Sequence, residues 1–157
     1  MQVEFLVENL APFLPMLTKI ISAHAPVPVL SNLLLKADEN GFSISATDLE
    51  IGTSVIIPAK IEISGSITVP GKQFAEVVNS LPKDKVTISV ESNTATLTSR
   101  DNVFEFQTIE AAEFPNLFQE KGEKITSFTV DEIKSIFSKL IFSVSLDESR
   151  PTLTGIN

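Results

Sequence analysis

Residues 5–30 read FLVENLAPFLPMLTKIISAHAPVPVL, and residues 128–153 read FTVDEIKSIFSKLIFSVSLDESRPTL. When each residue is placed beside the one 123 positions later, the two stretches align without a gap, and Pro28 falls on Pro151. The coinciding apolar pairs include Phe5 and Phe128, Val7 and Val130, Leu17 and Leu140, and Leu30 and Leu153. An ungapped match that includes a proline favours a repeated structural unit over chance. The sequence therefore predicts a strand–helix–loop–strand unit that starts again near residue 125 and is cut short at residue 157.

Hydrophobic periodicity predicts two helices in the first unit. In residues 8–23 apolar residues recur at three- and four-residue steps, which is typical of a helix with one buried face. That face contains Leu10, Phe13, Leu14, Leu17, Ile20 and Ile21. Pro15 lacks a backbone donor, so a kink is expected there. Residues 71–83 form the second predicted helix, with Phe74, Val77, Val78 and Leu81 on its buried face and Pro82 at its end.

The rest of the first unit reads as antiparallel strands. Alternation predicts a strand at Val3, Phe5 and Val7. Further strands are expected in VLSNLLLKA, FSISATDLEIGTSVIIPAKI, SGSITVP, KVTISVE, TATLTS and NVFEFQTI, joined by tight turns such as DENG. The polar stretch QEKGEK predicts a linker at residues 119–124. The expected organisation is one domain at 1–118 and the start of another at 125–157.

Composition excludes several classes of protein. The chain has 157 residues with 43% hydrophobic and 20% charged residues, which is typical of a globular domain with a core. It contains no Cys, so disulfide and thiolate chemistry are absent, and a reducing compartment such as the cytoplasm fits. The N-terminal apolar run carries Glu4, Glu8 and Lys19 and two prolines, which argues against a signal peptide. There is no apolar run long enough for a membrane span.

Acidic residues are concentrated outside the predicted helices. The net charge of −8 argues against nucleic-acid binding if charge is averaged over the chain. Residues 8–23, 71–83 and 131–141, however, carry four acids and five bases, a net charge of +1. The remainder carries sixteen acids and seven bases, a net charge of −9. This partition fits either ordinary helix-terminus preferences or a helix face that tolerates a polyanion.

The motif ATDLE is the one candidate for catalysis. If Asp48 and Glu50 lie on a strand, residues two apart share a face, and an acid pair or a metal site is geometrically possible. No His, Cys or third acid accompanies them at useful spacing. We therefore expect no enzyme activity, no metal and no cofactor.

Four stretches resemble one family in order and spacing: PVLSNLLLKADENGFSISATDLEIG, ITVPGKQFAEVVNSLP, EAAEFPNL and FSVSLDESRPTLTG. They resemble the bacterial replicative sliding clamps, the beta subunits of DNA polymerase III, over essentially the whole chain. The resemblance implies an α+β DNA-clamp fold of repeated strand–helix–sheet units, with helices on one face of antiparallel sheets. It also implies a non-catalytic, cytoplasmic processivity factor. Such a factor is a homodimeric ring that encircles double-stranded DNA and tethers the polymerase during DNA replication.

The resemblance implies a set of DNA-contacting residues. His24 occupies the loop position where clamps commonly carry Arg, Lys72 matches a basic position at the start of the second helix, and Asn79 stands where some relatives are basic. The segment that contains Asp147, Arg150, Pro151 and Thr152 matches a DNA-proximal loop. The lysines expected on hole-facing helices are Lys19, Lys134 and Lys139. A solvated surface position remains the alternative for each of them.

The resemblance also implies partners. Phe104 and Phe106 lie on the strand expected to form the dimer interface with Gln73, although ordinary core packing is the alternative. The family's binding site for DNA polymerase III and the clamp loader is expected mainly beyond residue 157. A second functional hypothesis is a truncated clamp-like protein that binds clamp partners or subunits without encircling DNA.

Overall fold

The computed structural model describes residues 1–21, 27–117, 126–145, 147 and 149–156. The chain divides into two compact units, Met1–Gln119 and Glu120–Asn157. Every strand within the described residues belongs to the first unit.

The first half of unit 1 contains β1 Gln2–Leu6, α1 Val7–Leu10, α2 Leu14–Ile20, β2 Asn32–Asp38, β3 Gly41–Thr47, β4 Gly52–Ile57 and β5 Ala59–Ile63. Short 3₁₀ helices occupy Ala11–Phe13 and Pro28–Ser31. The second half contains β6 Gly65–Pro70, α3 Gly71–Ser80, β7 Lys85–Glu91, β8 Thr94–Ser99, β9 Asn102–Gln107 and β10 Ile109–Glu110, followed by a 3₁₀ helix at Ala111–Glu113.

These strands form two antiparallel five-stranded sheets, ordered β5-β1-β7-β8-β9 and β10-β6-β2-β3-β4. Each sheet takes three consecutive strands from one half and two from the other. The chain changes sheet five times, and the changes from β4 to β5 and from β9 to β10 each pass through a single residue, Pro58 and Thr108. The two halves therefore repeat one topology, and the predicted α+β class is confirmed.

One hydrophobic core joins both sheets and the helices of unit 1. It includes Phe5 and Phe42, whose ring centroids are 5.5 Å apart, and Leu14, Phe74 and Leu97, all fully buried. Alternation along the strands places these side chains inward and polar side chains outward. The core therefore fixes which face of each helix is exposed.

The first predicted helix is interrupted, and one residue of its predicted face is exposed. The 3₁₀ helix Ala11–Phe13 separates α1 from α2, and Phe13 keeps 40% of its surface exposed. Pro15 has no N–H to donate to Ala11, so the α-helical ladder cannot continue through this point. The tighter 3₁₀ turn shifts the register and moves Phe13 out of the buried stripe. Leu10, Leu14, Leu17 and Ile21 remain buried as predicted.

A second, smaller apolar cluster lies on the outer face of the β10-β6-β2-β3-β4 sheet. Val29, Leu30 and Phe114 are its buried members. Next to it, the Asn32 side-chain amide donates to Thr68 Oγ1 at 2.8 Å, and Thr68 donates to the Ile109 carbonyl at 2.9 Å. These bonds hold β10 beside β6, and Phe114 anchors the segment after β10 in the outer apolar cluster.

Unit 2 contains α4 Val130–Leu140 and 3₁₀ helices at Ile141–Ser143 and Pro151–Leu153. The Pro151–Leu153 turn falls 123 residues after the Pro28–Ser31 turn, which agrees with the predicted repeat. The predicted strands of the second copy are wrong for the residues that the structure describes between 126 and 156. β1 pairs with β5 and β7, whereas no described residue of unit 2 supplies a partner strand.

Candidate nucleic-acid interface

A cleft of about 280 Å³ separates α2 from α3 on the exposed side of the helices. Its lining consists of Thr18, Lys19, Lys72, Ala75, Glu76 and Asn79. Three residues predicted to contact DNA, Lys19, Lys72 and Asn79, are therefore brought together by the fold from two separate helices.

The helix periods explain why these side chains point outward. α2 buries Leu14 and Leu17, so Lys19 lies on the exposed side of its last turn. α3 buries Phe74, Ala75 and Val78, which leaves an outward stripe at Lys72, Glu76 and Asn79. Residues four and seven apart share a helix face. The cleft is thus a direct consequence of the hydrophobic pattern.

Gly71 allows the start of α3 to pack closely against Ile21, Ser31 and Leu33. A Cβ atom at this position would contact the Ile21 side chain and would lie 3.2 Å from both Leu33 Cγ and the Ser31 carbonyl oxygen. Such distances are too short for ordinary packing. The absence of a side chain at Gly71 therefore sets the distance between Lys72 and the end of α2.

The electrostatics of the cleft favour an anion. Within the described part of the chain, neither Lys19 nor Lys72 forms an ion pair. α3 begins with no acidic residue in its first turn and no side-chain cap. Its first N–H groups and the Lys72 ammonium therefore both contribute positive potential at this end of the helix. A lysine at this end opposes the helix dipole, which is a cost that a bound phosphate would offset.

Glu76 is the residue of this cleft that the sequence analysis missed. It follows Lys72 by four positions, so the sequence does carry the signal that both lie on one helix face. Its carboxylate reduces the positive potential between the two lysines. The cleft therefore presents two ammonium groups and one opposing carboxylate.

In unit 2 the predicted loop is organised by one carboxylate. Asp147 Oδ1 accepts from the Ser149 backbone N–H at 3.0 Å, and hydrogen bonds from Ser149 hold the pKa of this carboxyl below its ordinary value. Arg150 and Thr152 are exposed beside it.

The other residues predicted to contact DNA lie in different places. Lys134 and Lys139 are exposed on α4. Pro151 begins the 3₁₀ turn, and His24 lies outside the described residues.

Capping fixes the start of α4. Thr129 Oγ1 accepts from the Glu132 N–H at 3.3 Å, and Glu132 Oε2 accepts from the Thr129 N–H at 2.7 Å. These reciprocal bonds form a capping box. They also hold the pKa of Glu132 below its ordinary value, because the Thr129 N–H and hydroxyl stabilise the carboxylate.

The residues predicted for a dimer interface occupy three different environments. β9 is an edge strand, Gln73 is exposed, and Phe104 is half-buried against the core. Phe106 is only 5% exposed and packs on Phe74, so core packing describes its side chain. The role of the β9 edge in an interface remains a prediction.

The acid pair of ATDLE does not lie on a strand as expected. β3 ends at Thr47, and Asp48 Oδ1 accepts from the N–H groups of Glu50 at 3.0 Å and Ile51 at 2.7 Å. Leu49 adopts a positive φ of 80° within this turn. Asp48 therefore stabilises a turn.

Among the described residues there is no cluster of three metal-ligating side chains, and no helix is long and apolar enough to cross a membrane.

Solved structures with the same architecture are sliding clamps. The DNA polymerase sliding clamp from Bacillus subtilis matches with a TM-score of 0.92 and 27% identity over 99% of this chain and 43% of that chain. Caulobacter crescentus pol III beta matches with a TM-score of 0.91 and 26% identity over 99% of this chain and 42% of that chain. The fold is therefore that of a sliding-clamp domain.

Sequence comparison leads to the family. The family model for the DNA polymerase III beta subunit, N-terminal domain, matches residues 1–118, and the chain belongs to that family. The beta sliding clamp of Vibrio cholerae is 34% identical over 139 residues, which are 87% of this chain and 38% of that protein. That of Chlamydia muridarum is 28% identical over 138 residues, 87% of this chain and 38% of that protein. The chain thus spans about two-fifths of the length of these relatives.

Proposed function

We propose that this chain is the N-terminal part of a DNA sliding clamp, a processivity factor that encircles duplex DNA and tethers a replicative polymerase. In this proposal residues 1–118 form the first clamp domain, 119–124 the linker and 125–157 the start of the second domain. The observation that carries the proposal is the cleft in which Lys19, Lys72 and Asn79 meet on the helical surface of a clamp-family domain.

The weakness of the cleft supports sliding. A tether that moves along DNA needs attraction to the phosphate backbone without base-specific contacts. Two unpaired lysines moderated by Glu76 meet that requirement, because each phosphate contact adds only a small, salt-sensitive increment. In the second unit, Arg150, Thr152, Lys134 and Lys139, together with Asp147 and Pro151, extend the proposed contact set, as does His24.

We further propose a cytoplasmic homodimeric ring closed through the β9 edge, with Gln73 and Phe104 near the interface and Phe106 supporting it from the core. DNA polymerase III and the clamp loader are the proposed protein partners. The ring holds by topology, so no residue of the chain, including Asp48 and Glu50, takes a catalytic role.

Retention on circular DNA tests the proposal. A longer protein that contains residues 1–157 is loaded onto a nicked plasmid with a clamp loader and then washed at about 0.5 M salt, where ionic contacts fade steeply. Encirclement predicts retention on the circle and loss once the plasmid is linearised. Equal loss from both forms would favour the alternative, a clamp-like protein that binds clamp partners without encircling DNA.

A further inference from the structure

A groove of about 460 Å³ lies on the outer face of the β10-β6-β2-β3-β4 sheet. Its floor is formed by residues of β2, β3, β4 and β6 that alternate with core residues, and its wall is the segment 111–117. It shares no lining residue with the cleft between α2 and α3. A groove of this size is within the range of natural ligand sites.

Strand register places the polar groups of the floor in two rows. In the first row Lys36 lies opposite Ser43 on β3 and Ser66 on β6. In the second row Ser45 lies opposite Ser54, to which it donates a hydrogen bond of 2.9 Å. Because neighbouring strands are about 4.8 Å apart, the first row spans roughly 10 Å of the surface and the second roughly 5 Å.

Several polar groups in the groove have unused hydrogen-bonding capacity. Among the described residues, the Ser66 hydroxyl and the Asn116 side-chain amide have no hydrogen-bond partner. The Ser43 hydroxyl makes only a long bond of 3.4 Å to the Lys36 carbonyl. Hydroxyl and amide groups both donate and accept, so this lining can satisfy a polar backbone.

The charge of the groove differs from that of the chain as a whole. The lining contains one ammonium, Lys36, and no carboxylate, in a protein with a net charge of −8. The Lys36 side chain is 54% exposed, and its Nζ lies 2.7 Å from Asp38 Oδ2. An exposed pair of this kind is weak. The ammonium is therefore available to a carboxylate that arrives in the groove.

The wall adds an apolar surface above this polar floor. Phe114 is buried beneath the segment, and Pro115 and Leu117 are half-exposed and line the groove. Nucleic acid fits this composition poorly, because a run of phosphates requires several cations and the groove offers one. An extended peptide fits this composition. The serine hydroxyls can hydrogen-bond to the peptide backbone, the wall can pack against an apolar side chain, and Lys36 can pair with one carboxylate.

We propose that this outer groove binds a short extended peptide in which an apolar residue adjoins an acidic residue. The carboxylate pairs with Lys36 in the row between Ser43 and Ser66, and the apolar side chain packs against Leu34 and Leu117. The site is independent of DNA and of the α2–α3 cleft.

Selection from a random peptide library tests this site without DNA. The immobilised chain is panned with phage-displayed heptapeptides, and the enriched peptides are synthesised with a fluorophore and titrated by anisotropy. We expect the enriched peptides to share the apolar–acidic pair. We expect Lys36→Ala to weaken them about tenfold, as the loss of a charge-assisted bond does. Ser66→Leu, which fills the floor, should abolish binding.

Lys60→Ala is the matched control. Lys60 also lies on a strand and pairs at 3.0 Å with a carboxylate two residues later, Glu62, but it does not line the groove. This variant should bind the peptides with unchanged affinity, and thermal melts should show that all variants fold. The proposal is overturned if no sequence family is enriched, or if Lys36→Ala and Ser66→Leu bind as tightly as the parent. It is equally overturned if oligothymidylate displaces the peptides from the groove.

Discussion

The rings of Phe74 and Phe106 meet edge to face with their centroids 5.7 Å apart, which joins α3 to the edge strand β9. The helix that carries Lys72 and the strand proposed for ring closure therefore share one buried contact. Displacing either ring should disturb both surfaces, because close-packed cores transmit small shifts.

The Phe74–Phe106 contact gives the first prediction. Phe106→Ala should lower the free energy of unfolding by about 3–5 kcal/mol, the usual cost of removing a buried aromatic ring. Chemical denaturation of the variant and the parent measures this difference in the free energy of unfolding. Val103→Ala on the same strand is the control, because Val103 is 60% exposed and its truncation should cost below about 1 kcal/mol. Similar losses for both variants would show that Phe106 is not a core residue.

The charges of the α2–α3 cleft give the second prediction. Lys19→Ala and Lys72→Ala should each weaken binding to a duplex and reduce the slope of log affinity against log salt by about one. Glu76→Gln should strengthen binding, because it removes the opposing carboxylate. Anisotropy of a labelled duplex at several salt concentrations measures all three. Lys60→Ala should change neither quantity, because Lys60 lies on β5, pairs with Glu62 and does not line the cleft.

Gly71 gives a prediction about close packing. Gly71→Ala should destabilise unit 1 by about 1–3 kcal/mol, the range for overpacking, because its Cβ would meet Ile21, Leu33 and the Ser31 carbonyl. Ile21→Ala in the same chain should recover part of that loss, and a double-mutant cycle by denaturation gives the coupling. Gly155→Ala, where a Cβ meets nothing within 4 Å, should be neutral. Additive effects of the two unit 1 substitutions would contradict the contact.

The capping box of α4 gives a pH prediction. The pKa of Glu132 is lowered from 4.5, so its carboxylate stabilises the helix start fully above that pH and loses this effect as the pH falls through the lowered pKa. NMR carbonyl shifts of residues 130–133 should therefore lose helical character as the pH is lowered below 4.5. Glu132→Gln should flatten this pH dependence. Asp131→Asn, which leaves the box intact, should retain it.

The turn after β3 gives a prediction that separates structure from catalysis. Asp48→Ala should cost about 1 kcal/mol of stability, since the Glu50 and Ile51 N–H groups lose their acceptor. Glu50→Ala should be nearly neutral, because Glu50 is exposed. Denaturation of both variants tests the difference. Equal effects on stability would argue against a structural role for Asp48.

Periodicity predicted most of the helices and strands of unit 1 because the burial of apolar side chains determines which face of each one points inward. The strands of unit 1 and the buried stripe of α3 follow directly from two- and four-residue spacing, whereas Lys72 and Asn79 were named from the family resemblance. Phe13 was misassigned because the helical period was continued through two prolines, where a 3₁₀ turn changes the register. Asp48 was misplaced because its turn depends on side-chain-to-backbone bonds that a strand-like sequence does not reveal.

The remaining errors concern long-range partners. Strands in unit 2 were predicted from local similarity, but a strand exists only when another one pairs with it. The sequence left two alternatives open for Phe106, because a residue on an edge strand can face either the core or a partner. The contact with Phe74 shows that its side chain faces the core. The outer groove escaped prediction entirely, since Lys36, Ser66 and Asn116 come from three separate segments that sequence spacing does not connect.

The exchange of strands between the two sheets has a consequence for how unit 1 folds. Because each half sends its first and last strands into the sheet built mainly by the other half, neither half can complete its hydrogen bonding alone. Contacts between distant parts of the sequence must form before either sheet is finished, and such topologies fold slowly. Native-state hydrogen exchange should accordingly show β1 and β6 opening together in a single cooperative event rather than half by half.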